Sequence, residues 1–198
     1  MRIPTTLVLA FSALLGAGCG HVPLSTLATL ATLDTNTIDP AGLGAAVRVP
    51  MVLKPRPGGV KLVITYRRPG AAKQAERSFV MEEVREPFEL QKLAGFRSGG
   101  QTITAYRLSG SDVKALRQIQ AETRAPAGSL LGGGQSSLGI SADACHLGPL
   151  PAGPILSSTY LKVVAGGTYL PVLEDIDLRA ELGEVALAEH VPPCEDVQ

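Results

Sequence analysis

Aromatic side chains and net charge are what this chain most clearly lacks. Aromatic residues make up 4% of the 198 residues, and tryptophan is absent. That scarcity removes the stacking platforms with which proteins bind single-stranded nucleic acids. Lysine plus arginine and aspartate plus glutamate balance at 18 each, so no overall charge attracts nucleic acid or an anionic lipid surface. We expect no nucleic-acid partner.

The sequence also lacks a complete cofactor motif. The stretch Gly42-Leu43-Gly44 has the first two glycines of a dinucleotide-binding fingerprint, but Asp39-Pro40 precedes it and a predicted strand follows it. We interpret it as a flexible lead into that strand. The run Gly132-Gly133-Gly134 is not followed by the Gly-Lys-Ser/Thr of a phosphate-binding loop. We therefore expect no cofactor.

Catalytic groups are equally sparse. A serine hydrolase needs a nucleophile beside a histidine and an orienting acid, yet Ser136 lies outside any Gly-x-Ser-x-Gly motif. The three histidines are His21, His146 and His190. Two carboxylates, Asp175 and Asp177, would share one face of a strand, and we interpret them as a solvated strand edge. We expect no catalytic residue and no enzymatic activity.

The first twenty residues carry the clearest signal in the sequence. Arg2 precedes an apolar run from Leu7 to Leu15, and the small residues Gly16, Ala17 and Gly18 then lead to a cysteine. A charged start, a short apolar run and small residues before a cleavage point form an export signal, and the run is too short to span a bilayer. This pattern predicts a signal peptide at residues 1–18.

This segment resembles the lipid-attachment signal of bacterial lipoproteins, although Gly16 stands where that family usually has leucine. The resemblance implies that Cys19 becomes the mature N-terminus and carries diacylglycerol and a further acyl chain such as palmitate. Gly20 is not the aspartate that retains many such proteins at the inner membrane. The resemblance therefore implies a lipid anchor in the outer membrane, facing the periplasm. The alternative is an ordinary secreted protein cut nearby.

The two remaining cysteines, Cys145 and Cys194, form an even pair in a chain directed to an oxidising compartment. We predict a disulfide between them that ties the C-terminal tail to the domain. The alternative is a metal site that also uses His146, with or without His190. Because adjacent cysteine and histidine ligands lack the usual chelating spacing, we expect no metal.

Alternating apolar residues predict several strands. We predict a half-buried strand at 46–54 with Pro50 at an edge or bulge, a turn at 55–59, and a strand in which Val60, Leu62 and Ile64 face inwards. Further strands are predicted at 78–84, 102–108 and 138–144, and a hairpin joins 159–164 to 168–173 through Gly166-Gly167. The tail at 175–198 suggests a strand and then a short helix.

One segment has a strong helical period. Ser111 is the predicted N-cap of a helix over about 111–124, in which Val113, Leu116 and Ile119 share a face. Strands joined mainly by short turns, with one inserted short helix, predict a mainly β fold: an antiparallel β-sandwich. We predict a lipidated N-terminus and tether at 19–45 and a single β-rich domain at 46–198, whose arrangement is loosely similar to small proteobacterial lipoproteins.

Two questions of interaction stay open in the sequence. In the tether, leucines recur every three residues, and we interpret it as a linker that packs on the domain, the alternative being a docking segment for an envelope protein. A basic cluster at Arg67-Arg68 is interpreted as a charged rim that protects a sheet edge. Our leading hypothesis is a non-enzymatic structural or adaptor lipoprotein. The alternatives are a periplasmic carrier of a small ligand or lipid, and a hydrolase with an unfamiliar site.

Overall fold

The structure, a computed structural model, is a sandwich of two antiparallel sheets and describes residues 35–124 and 135–194. The eight strands are β1 Gly44–Pro50, β2 Leu53–Arg67, β3 Ala75–Val80, β4 Glu82–Val84, β5 Gln101–Arg107, β6 Gln135–His146, β7 Leu156–Lys162 and β8 Leu170–Asp177. The helices are α1 Pro87–Gln91, α2 Gly110–Thr123 and α3 Leu178–His190, with 3-10 turns at Pro40–Gly42 and Ala94–Phe96. The predicted mainly β, antiparallel sandwich is confirmed. The predicted signal peptide, Cys19 and the three-glycine run lie outside the described residues.

The five-stranded sheet has the order β4-β5-β1-β7-β8, and the three-stranded sheet has the order β3-β2-β6. The main core lies between them, where Leu62 and Ile64 of β2 are almost fully buried, as predicted. A second, smaller cluster covers the outer face of β1, where Ala46 packs with Leu93 and Tyr160. Because β1 is covered on both faces, the prediction of a half-buried first strand is wrong.

The first turn differs from the prediction. β1 ends at Pro50, and the chain turns at residues 51–52 rather than at 55–59. The predicted turn is instead a shift in register between Pro55 and Val60, inside the long strand β2. A local excess of proline and glycine suits a β-bulge as well as a turn, which is why the sequence pattern did not separate the two.

The segment predicted as one strand at 78–84 divides between the two sheets. β3 pairs with β2 in the smaller sheet, while β4 pairs with β5 in the larger one. Met81 lies between them and is buried, and its amide donates to the carbonyl of Val60 at 2.9 Å. A continuous apolar pattern therefore concealed the crossing from one sheet to the other.

The central helix α2 lies close to its predicted position, with Leu116 and Ile119 buried. Its N-cap is Ser109 rather than Ser111, because the Ser109 hydroxyl accepts the amide of Asp112 at 3.1 Å. The Gln120 side chain donates to the carbonyls of Thr35 and Ile38, each at 2.8 Å. These bonds hold the incoming chain against the domain.

The late hairpin exists, but its connection is longer than the predicted two-residue turn. β7 ends at Lys162 and β8 begins at Leu170, and Gly166 within the loop has a φ of 72°. The tail then forms α3, where Gly183 interrupts the helical backbone. None of the described helices is both long and apolar enough to cross a membrane.

The sandwich has two ends, each named here by the feature that lies at it. At one, which we call the tether end, Thr35 lies beside Ser136 at the start of β6. At the other, the disulfide end, Cys145 lies near the end of β6 with its sulfur 2.12 Å from that of Cys194. The predicted pairing of these two cysteines is thus seen. The sulfurs are bonded to each other, so they do not supply the thiolates that the alternative metal site required.

Candidate functional site

A groove of about 280 Å³ opens near the tether end, between α1 and the β7–β8 connection. Its walls combine apolar side chains with carboxylates, cations and phenols. The lining residues are Ala41, Leu43, Val84, Glu86, Phe88, Glu89, Tyr106, Arg107, Lys162, Ala165 and Gly166. Phe88 stands at its rim with 71% of its surface exposed, and the Lys92 ammonium lies 4.8 Å from the centre of its ring.

Glu89 is the centre of a polar cluster beneath the groove. Its carboxylate accepts hydrogen bonds from Lys92 Nζ at 2.9 Å and Tyr169 Oη at 3.1 Å, and Lys162 Nζ also donates to it. The Glu89, Lys92 and Lys162 side chains are 15%, 13% and 12% exposed, respectively. Pro87 places Glu89 in the first turn of α1, since proline suits the first position of a helix.

Two glycines make room for this cluster and for the loop above it. A Cβ at Gly44 would lie 3.0 Å from Lys162 Cε and 3.3 Å from Tyr169 Oη. A Cβ at Gly42 would lie 2.4 Å from the backbone nitrogen of Ala165. The Gly42-Leu43-Gly44 stretch is therefore a site of close packing, and its interpretation as a flexible lead is wrong.

The electrostatics of the groove keep its acids charged and its phenols neutral. Burial opposes ionisation of Glu89, but the hydrogen bonds from Lys162 and Lys92 together outweigh it and lower the pKa of the carboxyl. Burial and then the Glu89 charge raise the pKa of Tyr169, which donates to that carboxylate. Burial and the nearby Glu83 raise the pKa of Tyr106 to about 12. The phenols thus stay protonated at neutral pH.

A second polar cluster surrounds Arg48, which is 7% exposed in the middle of β1. Its guanidinium donates to Asp175 Oδ1 at 2.6 Å, Ser158 Oγ at 2.8 Å and the Phe96 carbonyl at 2.9 Å. Asp175 has a φ of 52°, in the left-handed region, which aspartate tolerates better than most residues. Arg48 lies in the segment predicted as a half-buried strand at 46–54, and its partners come from distant segments that no local pattern reveals.

The predicted carboxylate pair at 175 and 177 does not act as a pair. Asp175 bonds Arg48, whereas Asp177 caps α3 by accepting the amide of Arg179 and also accepts the amide of Ile155, each at 3.0 Å. Their interpretation as a solvated strand edge is incomplete, because Oδ1 of each carboxylate accepts hydrogen bonds from other residues of the domain. The Ile155 amide followed by that of Arg179 lowers the pKa of Asp177, against the opposing effect of desolvation.

The other residues considered from sequence are dispersed over the molecule. Ser136 bonds the Thr35 hydroxyl rather than a histidine. Arg68 of the predicted basic cluster pairs with Glu122 of α2 at 2.6 Å. Among the described residues, no group of three or more histidine, cysteine, aspartate or glutamate side chains is arranged to hold a metal ion. Cys19 and His21 lie outside the described residues.

Sequence analysis did not identify the Glu89 cluster. The one local signal was Glu86-Pro87 followed by Phe88-Glu89, a helix start with proline at the first position. The partners Lys162 and Tyr169 lie more than seventy residues further along the chain, so their approach depends on strand pairing. Comparison with family profiles, with curated proteins and with solved structures finds no match for this chain.

Proposed function

We propose that the protein is a lipid-anchored lipoprotein of the bacterial envelope and a non-enzymatic structural or adaptor component at the periplasmic face of the outer membrane. The anchor is Cys19, in the lipid-attachment sequence at residues 1–20. The adaptor role is supported by one observation: Phe88 is largely exposed above a groove whose central acid, Glu89, is neutralised by side chains of the same domain.

This arrangement favours binding over catalysis. The Glu89 carboxylate has three donors, so it is held in one place and is poorly disposed to take a proton from a substrate. An exposed aromatic ring above apolar walls, with Arg107 in the lining, is typical of protein interfaces, where aromatic residues and arginine are enriched. The groove therefore suits a short polypeptide segment that places an apolar side chain against Phe88.

The competing carrier hypothesis needs an apolar cavity between the sheets. Among the described residues, a small apolar hollow lies there, lined by Leu62, Leu138, Gly139, Ile140, Leu161 and Val172. Its volume is about 50 Å³, whereas small-molecule sites measure roughly 300–1,000 Å³. This hollow is too small for a lipid chain, so the geometry favours an adaptor.

The anchor is tested by Cys19→Ser. We expect the wild-type protein in the membrane fraction with a lipid mass on its N-terminal peptide, and the variant in the soluble fraction. Membrane attachment of the variant, or a wild-type N-terminus without lipid, would contradict the anchor.

The adaptor role is tested by affinity purification from detergent-solubilised membranes. Phe88→Ala should remove a co-purifying envelope protein that the wild type retains. Val185→Ala is the matched control, because Val185 is 77% exposed but lies on α3 rather than at the groove. Equal recovery with Phe88→Ala, or no specific protein with the wild type, would rule the role out.

A further inference from the structure

The four outer edges of the two sheets are protected to very different degrees. Exposed edges invite pairing with other strands, and proteins block them with short strands, charges, prolines or bulges. β4 has three residues, β3 carries Glu76 and Arg77, and β8 contains Pro171 and two register shifts against β7. β6 has twelve residues, no proline and a single charged residue, Asp143.

Within the described residues, β6 pairs with β2 alone. The far end of its outer edge is already covered, since the His146 amide donates to the Pro192 carbonyl at 3.0 Å and His146 forms a parallel bridge with Pro193. The disulfide holds that tail in place. Among the residues that the structure describes, none therefore pairs with the outer edge of β6 over the stretch 136–144.

The incoming chain reaches this edge at its start. The Thr35 hydroxyl lies 3.4 Å from the Ser136 carbonyl and also contacts the Ser136 hydroxyl. A chain that arrives at Ser136 after running along β6 would run antiparallel to it. Such an arrangement places residue 35 opposite 136, 31 opposite 140 and 27 opposite 144.

The residues that precede Thr35 suit that position. From Val22 to Asp34 they are leucine, threonine, alanine, serine, valine and one proline, with a single charge at Asp34. In an extended strand Leu27, Thr29, Ala31 and Leu33 share one face. In this register that face continues the half-buried side chains of Leu138 and Ile140, which border the apolar hollow between the sheets.

We propose that residues 27–34 of the tether add to β6 as an antiparallel strand, with Leu33 packed beside Leu138 at the hollow. The occupant is this chain's own tether because the segment is covalently held beside the edge, at an effective concentration of about millimolar. A partner strand would have to displace it. The inference is independent of the lipid, since it requires only that the tether remains attached.

Hydrogen exchange of the β6 amides tests this in the full mature chain carrying Cys19→Ser. The outward-facing amides of 136–144 should exchange roughly tenfold or more slowly than in the double variant Ala31→Pro/Thr32→Pro. Alternate amides of a strand face its neighbour, so two adjacent prolines remove a bond in any register. Val22→Pro is the control and should leave the protection unchanged.

Equal exchange in all three proteins would overturn the proposal. Protection that rises with protein concentration in step with a dimer would assign the edge to a second copy instead, which also overturns it. Neither result bears on the lipid anchor or on Phe88.

A cross-link fixes the register. Gly139 faces open space, with no atom within 4 Å of the point that a Cβ would occupy, so Gly139→Cys should fold. Paired with Thr32→Cys, it should form an intramolecular disulfide under mild oxidation. Gly148→Cys is equally unhindered but lies beyond β6, and with Thr32→Cys it should form little. Equal cross-linking at both positions would show an undocked tether.

Discussion

At the scale of single residues, Glu89 is the charged partner of two largely buried ammonium groups beneath the groove. Glu89→Gln should lower the free energy of unfolding by about 3 kcal/mol at pH 7, because it leaves the Lys92 and Lys162 ammonium groups buried without a charged partner. Urea unfolding measures this. Glu86→Gln is the control: Glu86 pairs with Arg107 at the exposed surface, and the variant should melt as the wild type does.

The difference in unfolding free energy between the wild type and Glu89→Gln should depend on pH. The folded state lowers the pKa of Glu89, so the stabilisation is complete above the unfolded value of about 4.3 and is lost as the pH falls through the folded value. The difference between wild type and Glu89→Gln should therefore shrink as the pH falls below about 4. A constant difference from pH 7 to pH 3 would contradict this account.

Among the described glycines, Gly42 leaves the least room for a Cβ atom. Gly42→Ala should cost about 1–3 kcal/mol through overpacking, because its Cβ would collide with the backbone nitrogen of Ala165. Gly95→Ala is a matched control, since a Cβ there meets nothing within 4 Å. Gly42→Ala should have a clearly lower melting temperature than Gly95→Ala. Equal melting temperatures would show that the β7–β8 connection moves away from the new Cβ at little energetic cost.

At the scale of elements, the register of β2 decides which side chains reach the core. Ile64→Ala should cost about 2–5 kcal/mol through lost burial and a cavity, because Ile64 is 1% exposed. Val63→Ala, on the opposite face of the same strand, should cost much less. If unfolding measurements gave the reverse order, the strand would be shifted by one residue.

Local periodicity predicted the elements in which buried and exposed residues alternate regularly. It failed where contacts with other elements decide which faces and side chains are buried. The alternation of Leu62 and Ile64 and the helical spacing of Leu116 and Ile119 each determine one buried face. By contrast, β1 is buried on both faces only because α1 and its neighbouring turn cover it. Likewise, two of the hydrogen-bond partners of buried Arg48, Ser158 and Asp175, lie more than a hundred residues later in the chain.

At the scale of the whole molecule, the disulfide joins the tail to the sandwich across a separation of 49 residues. Cys194→Ser should lower the free energy of unfolding by about 2–4 kcal/mol, since it releases a constraint on the unfolded chain. Limited proteolysis should then remove the tail while the sandwich remains folded. Free thiols in protein isolated without reductant, with unchanged stability on reduction, would contradict the pairing.

The position of that disulfide also governs how the molecule carries tension between its two termini. A pull on the C-terminus passes from Cys194 directly to Cys145, near the end of β6, and bypasses α3. β6 pairs with β2 at eleven positions along its length. A force parallel to the strands loads the hydrogen bonds between these two strands together. After reduction the same pull would unwind α3, which Gly183 already interrupts, one turn at a time. The bond therefore places a C-terminal load on the pairing of β6 with β2 rather than on α3.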